Sequence, residues 1–224
     1  MPVSLTTLYS WLAARSIARG LPAPVCDHGG YRVDTHSDTE ICRWVFARPS
    51  MEMGELARAI DQPGHFIKLC GSSDELRSVV PSRWRLDQER YFMSGRQAST
   101  PQPLPHGYTI EIEQHGMIRR VAILNESGDQ AAGGYAVESR DAFIYDRIET
   151  APTHRRKGLG SLVMASLAQM KRGDVPELLV ATNEGRLLYE AQGWHVLSPY
   201  ATASISDMSH AGETLPIAVE DRID

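Results

Sequence analysis

The residues best suited to chemistry in this chain lie in one basic, glycine-containing segment, Pro152 to Ser161. Arg155, Arg156 and Lys157 precede a Gly-Leu-Gly sequence, and a helical pattern begins at Leu159. The two glycines allow a ligand to approach the backbone without meeting a Cβ atom. The free N–H groups at a helix start attract a pyrophosphate. The segment therefore predicts a phosphate-binding loop, with a basic turn before an ordinary surface helix as the alternative.

Two other kinds of phosphate-binding loop fit this segment poorly. A dinucleotide-binding loop needs a third glycine and follows the first strand of its domain, whereas Gly158 and Gly160 follow the fourth strand of a meander. A Walker A loop needs a lysine directly after its last glycine, and Lys157 precedes the glycines here. Both types of loop are therefore rejected.

A second group of residues lies downstream, with Thr182-Asn183 at the end of a strand pattern, then Tyr189-Glu190 and Gly193-Trp194. These residues, together with the R-x-x-G-x-G loop and the proline three residues before its arginine, resemble the GNAT superfamily of N-acetyltransferases. The resemblance covers about residues 143–199. One departure is Gly185-Arg186, where the family usually carries an alanine, and this position should not touch the cofactor.

The resemblance implies acetyl-CoA as co-substrate and indicates the residues that would hold it. Backbone groups of Ile148, Glu149 and Thr150 would bond to the pantetheine, where the fourth strand of the family fold splays from the fifth. Asn183 would bridge to the pantetheine or cap the helix that follows it. The pyrophosphate would lie on the loop, whose residues are Arg155, Arg156, Lys157, Gly158, Leu159, Gly160 and Ser161.

Acyl transfer to an amine requires a group that protonates the leaving thiolate. Tyr189 matches the family tyrosine whose hydroxyl lies near the thioester sulfur, so the resemblance implies that its proton assists this departure. The alternative is a tyrosine that packs its ring in the core and leaves its hydroxyl at the surface.

The reaction also requires a neutral amine, and Asp146 is the candidate base. Its spacing from the loop resembles that of a catalytic aspartate in aminoglycoside-modifying members of the family. Strand alternation predicts that Asp146, Ile148 and Thr150 share one face, from which a carboxylate could reach the amine. An ion pair with Arg147 or Arg140 is the alternative, and water chains serve as the base in many family members.

The elements that must position these residues form an α/β fold around a mixed sheet. Alternating or apolar runs predict four consecutive strands, over residues 108–113, 117–124, 131–138 and 143–150. Helix, strand and helix patterns then follow over 159–170, 178–182 and 184–192. Upstream, helical patterns occur near residues 5–19, 37–47, 52–60 and 74–80. This order predicts a mixed α/β arrangement like that of the GNAT fold.

The chain divides into an N-terminal part, residues 1–95, and a GNAT-like part, residues 108–206. Residues 96–107 form a proline-rich linker, and residues 207–224 form a polar tail. In the family, two helices between the first two strands cap the acceptor pocket, but Gln114-His115-Gly116 leaves room only for a hairpin. We therefore expect residues 1–95 to shape the acceptor site instead, with a degenerate copy of the same fold as one interpretation.

Composition limits the other classes of function. The formal net charge of −5 argues against nucleic-acid binding, and the absence of a long apolar run argues against a membrane protein. Three cysteines without a CxxC pair, and histidines without an HExxH pair, predict neither a disulfide scaffold nor a metal site. A reducing cytoplasm is the expected location, and a homodimer is left open.

The leading hypothesis is an N-acetyltransferase that acts directly on a primary amine of a small molecule. The alternatives are a protein or peptide acetyltransferase and a non-catalytic module that binds acyl-CoA. An acidic mouth would favour a cationic amine, and the acidic residues that could form it are Glu111, Glu113, Glu138, Asp141 and Asp146.

Overall fold

The computed structural model describes residues 3–96 and 103–205. Its N-terminal elements are α1 (Leu5–Ala18), β1 (Val25–Asp27), β2 (Gly30–Asp34), β3 (Cys42–Phe46), α2 (Met51–Ala59), β4 (His65–Leu69), α3 (Ser73–Val79), β5 (Trp84–Leu86) and β6 (Arg90–Gly95). The later elements are β7 (Tyr108–His115), β8 (Ile118–Asn125), β9 (Gln130–Glu138), β10 (Phe143–Thr150), α4 (Leu159–Gln169), β11 (Glu177–Ala181), α5 (Asn183–Ala191) and β12 (His195–Ile205).

All the strands join in one mixed sheet, with the order β1-β2-β3-β4-β12-β6-β11-β10-β9-β8-β7 and with β5 beside β12. The pairs β3–β4 and β10–β11 are parallel, and the other pairs are antiparallel. Strand β12 connects the two halves because it pairs with β4 and with β6. The predicted α/β class with a mixed sheet is confirmed.

The same order of elements occurs in both halves. Strand, helix, parallel strand, helix and strand follow one another as β3-α2-β4-α3-β5 and again as β10-α4-β11-α5-β12. The first copy has no glycine loop before its helix, and α2 instead begins after Ser50, whose side chain accepts the N–H of Met53. The N-terminal half is therefore consistent with a degenerate GNAT-like unit that has lost the phosphate-binding loop.

Strand β6 precedes the proline-rich segment in sequence but lies inside the sheet of the C-terminal half, between β11 and β12. The hairpin predicted between the first two strands of that half is present, because His115 pairs with Ile118 around Gly116, which has φ +60°. The division into residues 1–95 and 108–206 remains a prediction. Residues 97–102 of the proposed linker and the tail 207–224 lie outside the described residues.

One helix predicted from the sequence is wrong. Residues 37–47 contain β3, and every residue of this strand is buried. Burial on both faces removes the polar alternation that marks a strand, as is usual for parallel pairs. Arg43 is accommodated there because its guanidinium lies 2.7 Å from the carboxylate of Glu40.

Helices α1 and α4 cover opposite faces of the sheet. On the α1 face, Trp11 makes an edge-to-face contact with Phe92, with ring centroids 5.1 Å apart. On the α4 face, a second apolar cluster includes Val163 and Phe143. Side chains at successive positions of β10 and β11 therefore point alternately toward the N-terminal helix and toward α4.

Candidate functional site

The centre of the sheet opens between β10 and β11. These parallel strands are paired only at Phe143–Glu177 and Ile144–Leu178, and they separate beyond those positions. A cavity of about 630 Å³ includes the resulting gap, and its wall contains Ile148 and Glu149 from β10. The splay that the resemblance implied is therefore present at the expected strands.

A β-bulge redirects β10 as it leaves its partner. The register with β9 shifts between Asp146 and Glu149, and Arg147 adopts φ +54°, a left-handed conformation unusual for a residue with a side chain. Ile148 consequently packs against the core beneath α4. Thr150 Oγ1 lies 3.3 Å from the point that a Cβ atom would occupy if Gly160 carried a side chain.

Asp146 points the other way, toward α1. Its carboxylate accepts two hydrogen bonds from Arg19, at 2.7 Å from Nε and 2.9 Å from Nη2. The prediction that Asp146, Ile148 and Thr150 share one face is wrong, because the bulge interrupts the alternation. The residue missed by sequence reasoning is Arg19, which lies more than a hundred positions away along the chain.

Two more arginines surround this carboxylate, with Nε of Arg147 at 3.4 Å and Nε of Arg15 at 3.7 Å. Only 9% of Asp146 is exposed. The ion-pair alternative weighed from the sequence therefore holds for Arg147, and the other partners come from α1 rather than from Arg140. Accepting a proton would require Asp146 to weaken a buried bidentate pair.

The predicted phosphate-binding loop has the backbone of an anion site. Gly158 has φ +77° and stands directly before α4, and Arg156 also has a positive φ of 62°. The first hydrogen bond of the helix runs from the N–H of Leu162 to the carbonyl of Gly158. The N–H groups of Leu159, Gly160 and Ser161 are thus left for a ligand.

Side chains around the loop hold it in place. Lys157 Nζ lies 3.0 Å from the hydroxyl of Tyr108, which also bonds to Nδ1 of His154 at 2.8 Å. Ser161 Oγ accepts a hydrogen bond from the amide of Gln192 at 3.0 Å.

The two remaining cations of the loop are open to a ligand. Arg155 and Arg156 are exposed, and neither forms an ion pair with any residue that the structure describes. Their charge and the free N–H groups of α4 fit a diphosphate.

Tyr189 lies in the cavity wall and is 8% exposed. Its ring packs against Trp194, with centroids 5.9 Å apart. Burial raises the pKa of its hydroxyl to about 12, so the group carries its proton at neutral pH. A protonated hydroxyl at the edge of the splay can donate to a sulfur held there.

Asn183 is not the N-cap residue of α5, which was one of the two roles that the sequence suggested for it. The cap of α5 is Thr182, whose side chain accepts the N–H of Gly185 at 3.1 Å. Asn183 is the first residue of the helix and is exposed, whereas Thr182 and Gly185 line the cavity.

The opposite wall of the cavity comes from the N-terminal half and from β12. No local spacing in the sequence indicates it, because the contributing positions are far apart along the chain. Lys68 of β4 is half-buried there, and burial lowers the pKa of its ammonium group to about 8. The residues of this wall include Trp11, Arg15, Arg19, Lys68, Arg90 and Tyr200.

Comparison with known proteins identifies the fold. No protein-family profile and no curated protein matches the sequence. A GCN5-related N-acetyltransferase from Kribbella flavida superposes with a TM-score of 0.63 at 14% identity, over 94% of this chain and 98% of that one. A putative GNAT acetyltransferase from Novosphingobium aromaticivorans gives 0.52 at 13% identity, covering 88% and 95%.

A tandem GNAT protein from the clavulanic acid biosynthesis pathway also superposes, with a TM-score of 0.51 at 10% identity over 92% of this chain and 98% of that one. The chain therefore has the GNAT fold, as the sequence resemblance implied. Its likeness to a tandem protein agrees with the repeated order of elements in its two halves.

Across residues 3–96 and 103–205, no group of three or more His, Cys, Asp or Glu side chains could hold a metal ion. No helix in that same part of the chain is long and apolar enough to cross a membrane.

Proposed function

We propose that this protein is an acyl-CoA-dependent N-acyltransferase that transfers an acetyl group from acetyl-CoA to the primary amine of a small molecule. The observation that carries the proposal is the gap between β10 and β11, which opens into a cavity beside Tyr189. The GNAT fold and the glycine loop before α4 support the same function.

The residues present fit acetyl-CoA. The N–H groups at the start of α4, with Arg155 and Arg156, would bind the pyrophosphate. Backbone groups of Ile148, Glu149 and Thr150 border the gap and would bond to the pantetheine. When bound, acetyl-CoA supplies an acetyl group activated as a thioester.

The chain itself contributes three effects to the transfer. The protonated hydroxyl of Tyr189 donates to the departing thiolate. A backbone N–H of β10 beyond the bulge would face the thioester carbonyl and stabilise negative charge on its oxygen. The walls from the two halves would orient the amine toward the thioester.

The role of Asp146 as a base remains a prediction, and its contacts favour a different assignment. Its two oxygens are occupied by Arg19, and Arg15 and Arg147 lie close by. We therefore assign it the positioning of these three arginines, with water as the proton acceptor.

The position of the cavity between elements of the two halves favours a small acceptor. Its wall combines α1 and β4 of the N-terminal half with β10, β11 and α5 of the C-terminal half. A protein substrate would need an open groove that admits a chain on both sides of the reacting amine.

An acceptor screen with acetyl-CoA tests the proposal. Thiol release is measured against small amines and against peptides, and acetyl-CoA affinity is measured separately by calorimetry. We expect acetyl-CoA binding and turnover of small amines. Preference for peptides would indicate a protein acetyltransferase, and tight binding without turnover of any amine would indicate a non-catalytic module.

A further inference from the structure

The cavity that contains the proposed thioester site is rich in cations. Five positively charged side chains line the cavity, and they come from α1, β4, β6 and the bulge of β10: Arg15, Arg19, Lys68, Arg90 and Arg147. Four acidic residues also line it, namely Asp87, Glu89, Asp146 and Glu149. The net charge that a ligand meets in the cavity depends on how these acidic and basic groups are paired.

The acidic groups leave part of this positive charge uncompensated. Asp146 is one carboxylate that faces three arginines. Glu89 accepts the N–H of Ser73 at 2.7 Å, so one of its oxygens is directed to the start of α3. Glu149 and Asp87 are exposed.

Among the partly buried cations that line the cavity, Arg15 and Lys68 have the weakest compensation. Arg15 makes no hydrogen bond to another described residue, and its nearest carboxylate atom, on Asp146, is 3.7 Å away. Its guanidinium lies 5.6 Å from the ring centroid of Trp11. This stacking holds the group without using its N–H donors.

Lys68 has no ion-pair partner among the residues that the structure describes, and its ammonium lies 5.4 Å from the ring of Phe66. A partly desolvated ammonium without a carboxylate partner is costly, and the lowered pKa reflects that cost. Among nearby charges, Glu40 and Asp87 raise the pKa of Lys68, whereas Arg15 and Arg90 lower it, so attraction and repulsion oppose one another. Two cations with free donors at one wall form a site for an anion.

The acidic mouth expected from the sequence is not assembled at the cavity. Of the five acidic residues that could have formed it, only Asp146 lines the wall. Glu138 instead pairs with Arg119 at 2.7 Å, and Glu111 and Glu113 are exposed on the edge strand β7. A polycationic amine would therefore meet a cavity in which five cations line the wall beside four acidic residues.

We propose that the acceptor is an amino acid or a related amine that carries a carboxylate, bound by Arg15 and Lys68. The inference rests on the proposed function and specifies its acceptor. With the carboxylate on this wall, the amine is directed across the cavity toward the gap between β10 and β11. The positive wall also favours the neutral form of the amine, which is the form that attacks a thioester.

Matched pairs of acceptors test this inference. Alanine, phenylalanine, glutamate and β-alanine are each compared with the compound in which the carboxylate is replaced by an amide. Acetyl-CoA is the acyl donor, and thiol release is the readout. We expect kcat/KM to be about 10- to 100-fold higher for the acid, the size of one charge-assisted hydrogen bond.

Variants identify the residues responsible. Lys68→Met and Arg15→Met should remove most of the preference for the acid, through a higher KM for the acid. Arg77→Met removes an exposed charge from α3 outside the cavity and should leave the preference unchanged. The dissociation constant of acetyl-CoA should be the same in all three variants.

Product binding provides a readout that does not depend on turnover. Trp11 lines the cavity, so its fluorescence should report N-acetyl amino acids but respond weakly to the corresponding N-acetyl amides. Equal response to acid and amide, response to neither, or an unchanged preference in Lys68→Met would overturn the inference. If the wild-type protein binds N-acetyl amino acids but does not bind acetyl-CoA, the proposed function is overturned instead.

Discussion

At the scale of single residues, the cavity combines one proton donor with a buried cluster of charges. Tyr189 keeps its proton because burial opposes the phenolate. Asp146 accepts two hydrogen bonds from Arg19 and lies close to Arg15 and Arg147. These two residues were both candidates for proton transfer, but their surroundings suit them to different tasks.

Replacement of Tyr189 tests the donor. Tyr189→Phe removes the hydroxyl and keeps the ring against Trp194, so acetyl-CoA affinity should change little. We expect kcat to fall roughly 100-fold where chemistry limits the rate. In the wild type, this group should not titrate in the kcat profile below about pH 11, because its pKa is about 12. Tyr31→Phe, remote on β2, is the control, and a wild-type kcat in Tyr189→Phe would remove this residue from the mechanism.

Replacement of Asp146 separates a base from a positioning residue. Asp146→Asn should raise the KM of the acceptor at every pH from 6 to 9, because it loosens the arginines and removes no proton acceptor. The shape of the kcat/KM profile should stay the same. A loss confined to low pH, recovered as free amine accumulates, would show instead that Asp146 is the base.

The burial of Lys68 predicts that the free energy of unfolding of this protein depends on pH. Folding lowers its pKa from the usual 10.5 to about 8, chiefly through burial, with repulsion from Arg15 and Arg90 opposed by Glu40 and Asp87. Between these two pKa values the unfolded chain binds more protons, so this residue's contribution to folding becomes more favourable as pH rises. Below about pH 8 the native protein bears the full cost of the buried charge.

Lys68→Met should therefore be more stable than the wild type at pH 7, by roughly 2–4 °C in Tm, the shift that about 1 kcal/mol produces in a chain of this size. The difference should shrink as pH rises from 8 to 10. Calorimetric or fluorescence melts at matched pH measure it. A variant that is less stable at pH 7 would show that Lys68 is a structural contact and not a strained binding group.

At the scale of elements, two local distortions prepare the proposed cofactor site. The bulge at Arg147 turns β10 away from β11, and the left-handed Gly158 starts α4 beside the end of that strand. A regular strand would close the gap, and a helix that began elsewhere would not direct its free N–H groups toward it. The N-terminal copy has neither distortion, since β3 and β4 stay paired along all five residues.

The loop before α4 can be tested at Gly158. Space around its Cβ position is open, so the constraint is its φ of +77°, which a β-branched residue adopts poorly. Gly158→Val should weaken acetyl-CoA binding at least 10-fold by calorimetry, with the circular dichroism spectrum unchanged. Gly158→Asn tolerates this conformation and should retain more affinity.

A matched control for this loop exists elsewhere in the chain. Gly128, in the turn between β8 and β9, has φ +83° and equally open surroundings. Gly128→Val introduces the same backbone strain away from the loop, so acetyl-CoA affinity should be unchanged. If both variants bind acetyl-CoA as the wild type does, the segment before α4 is an ordinary turn.

At the scale of the whole molecule, the two halves are joined by shared strands and by a shared cavity. β12 pairs with β4 of the first half, and β6 of the first half pairs with β11 and β12. The α1 helix covers the face of β10 that carries Asp146, in place of the capping helices that the hairpin after β7 excludes. The first half thus contributes residues to the cavity wall and has no glycine loop before its helix α2.

This interlocking predicts that the halves do not fold separately. A fragment that starts at Gly107 lacks an interior strand and the α1 helix, and it exposes Ile144 and Leu178 to water. We expect no cooperative melt and no acetyl-CoA binding. Co-expression with residues 1–106 should restore both. A monomeric fragment with a cooperative melt and full acceptor turnover would contradict the assigned role of the first half.

The sequence alone predicted the loop before α4, because that feature depends on glycine conformation and on a helix start within residues 152–161. The splay of the strands followed only from the family resemblance, and in the structure it accompanies the bulge at Arg147. The tyrosine in the wall followed from a family motif of equally short range. The same local reasoning failed for residues 37–47, where burial on both faces hid the period of a strand.

Only the tertiary structure decided what faces the cavity. The partners of Asp146 come from α1 and from its own bulge, and Lys68 comes from β4, so no spacing along the chain brings them together. One positive φ at Arg147 also reversed the expected face of Ile148. A side chain's direction depends on every residue before it in a strand, and charge pairing depends on contacts between distant segments; neither is contained in a local pattern.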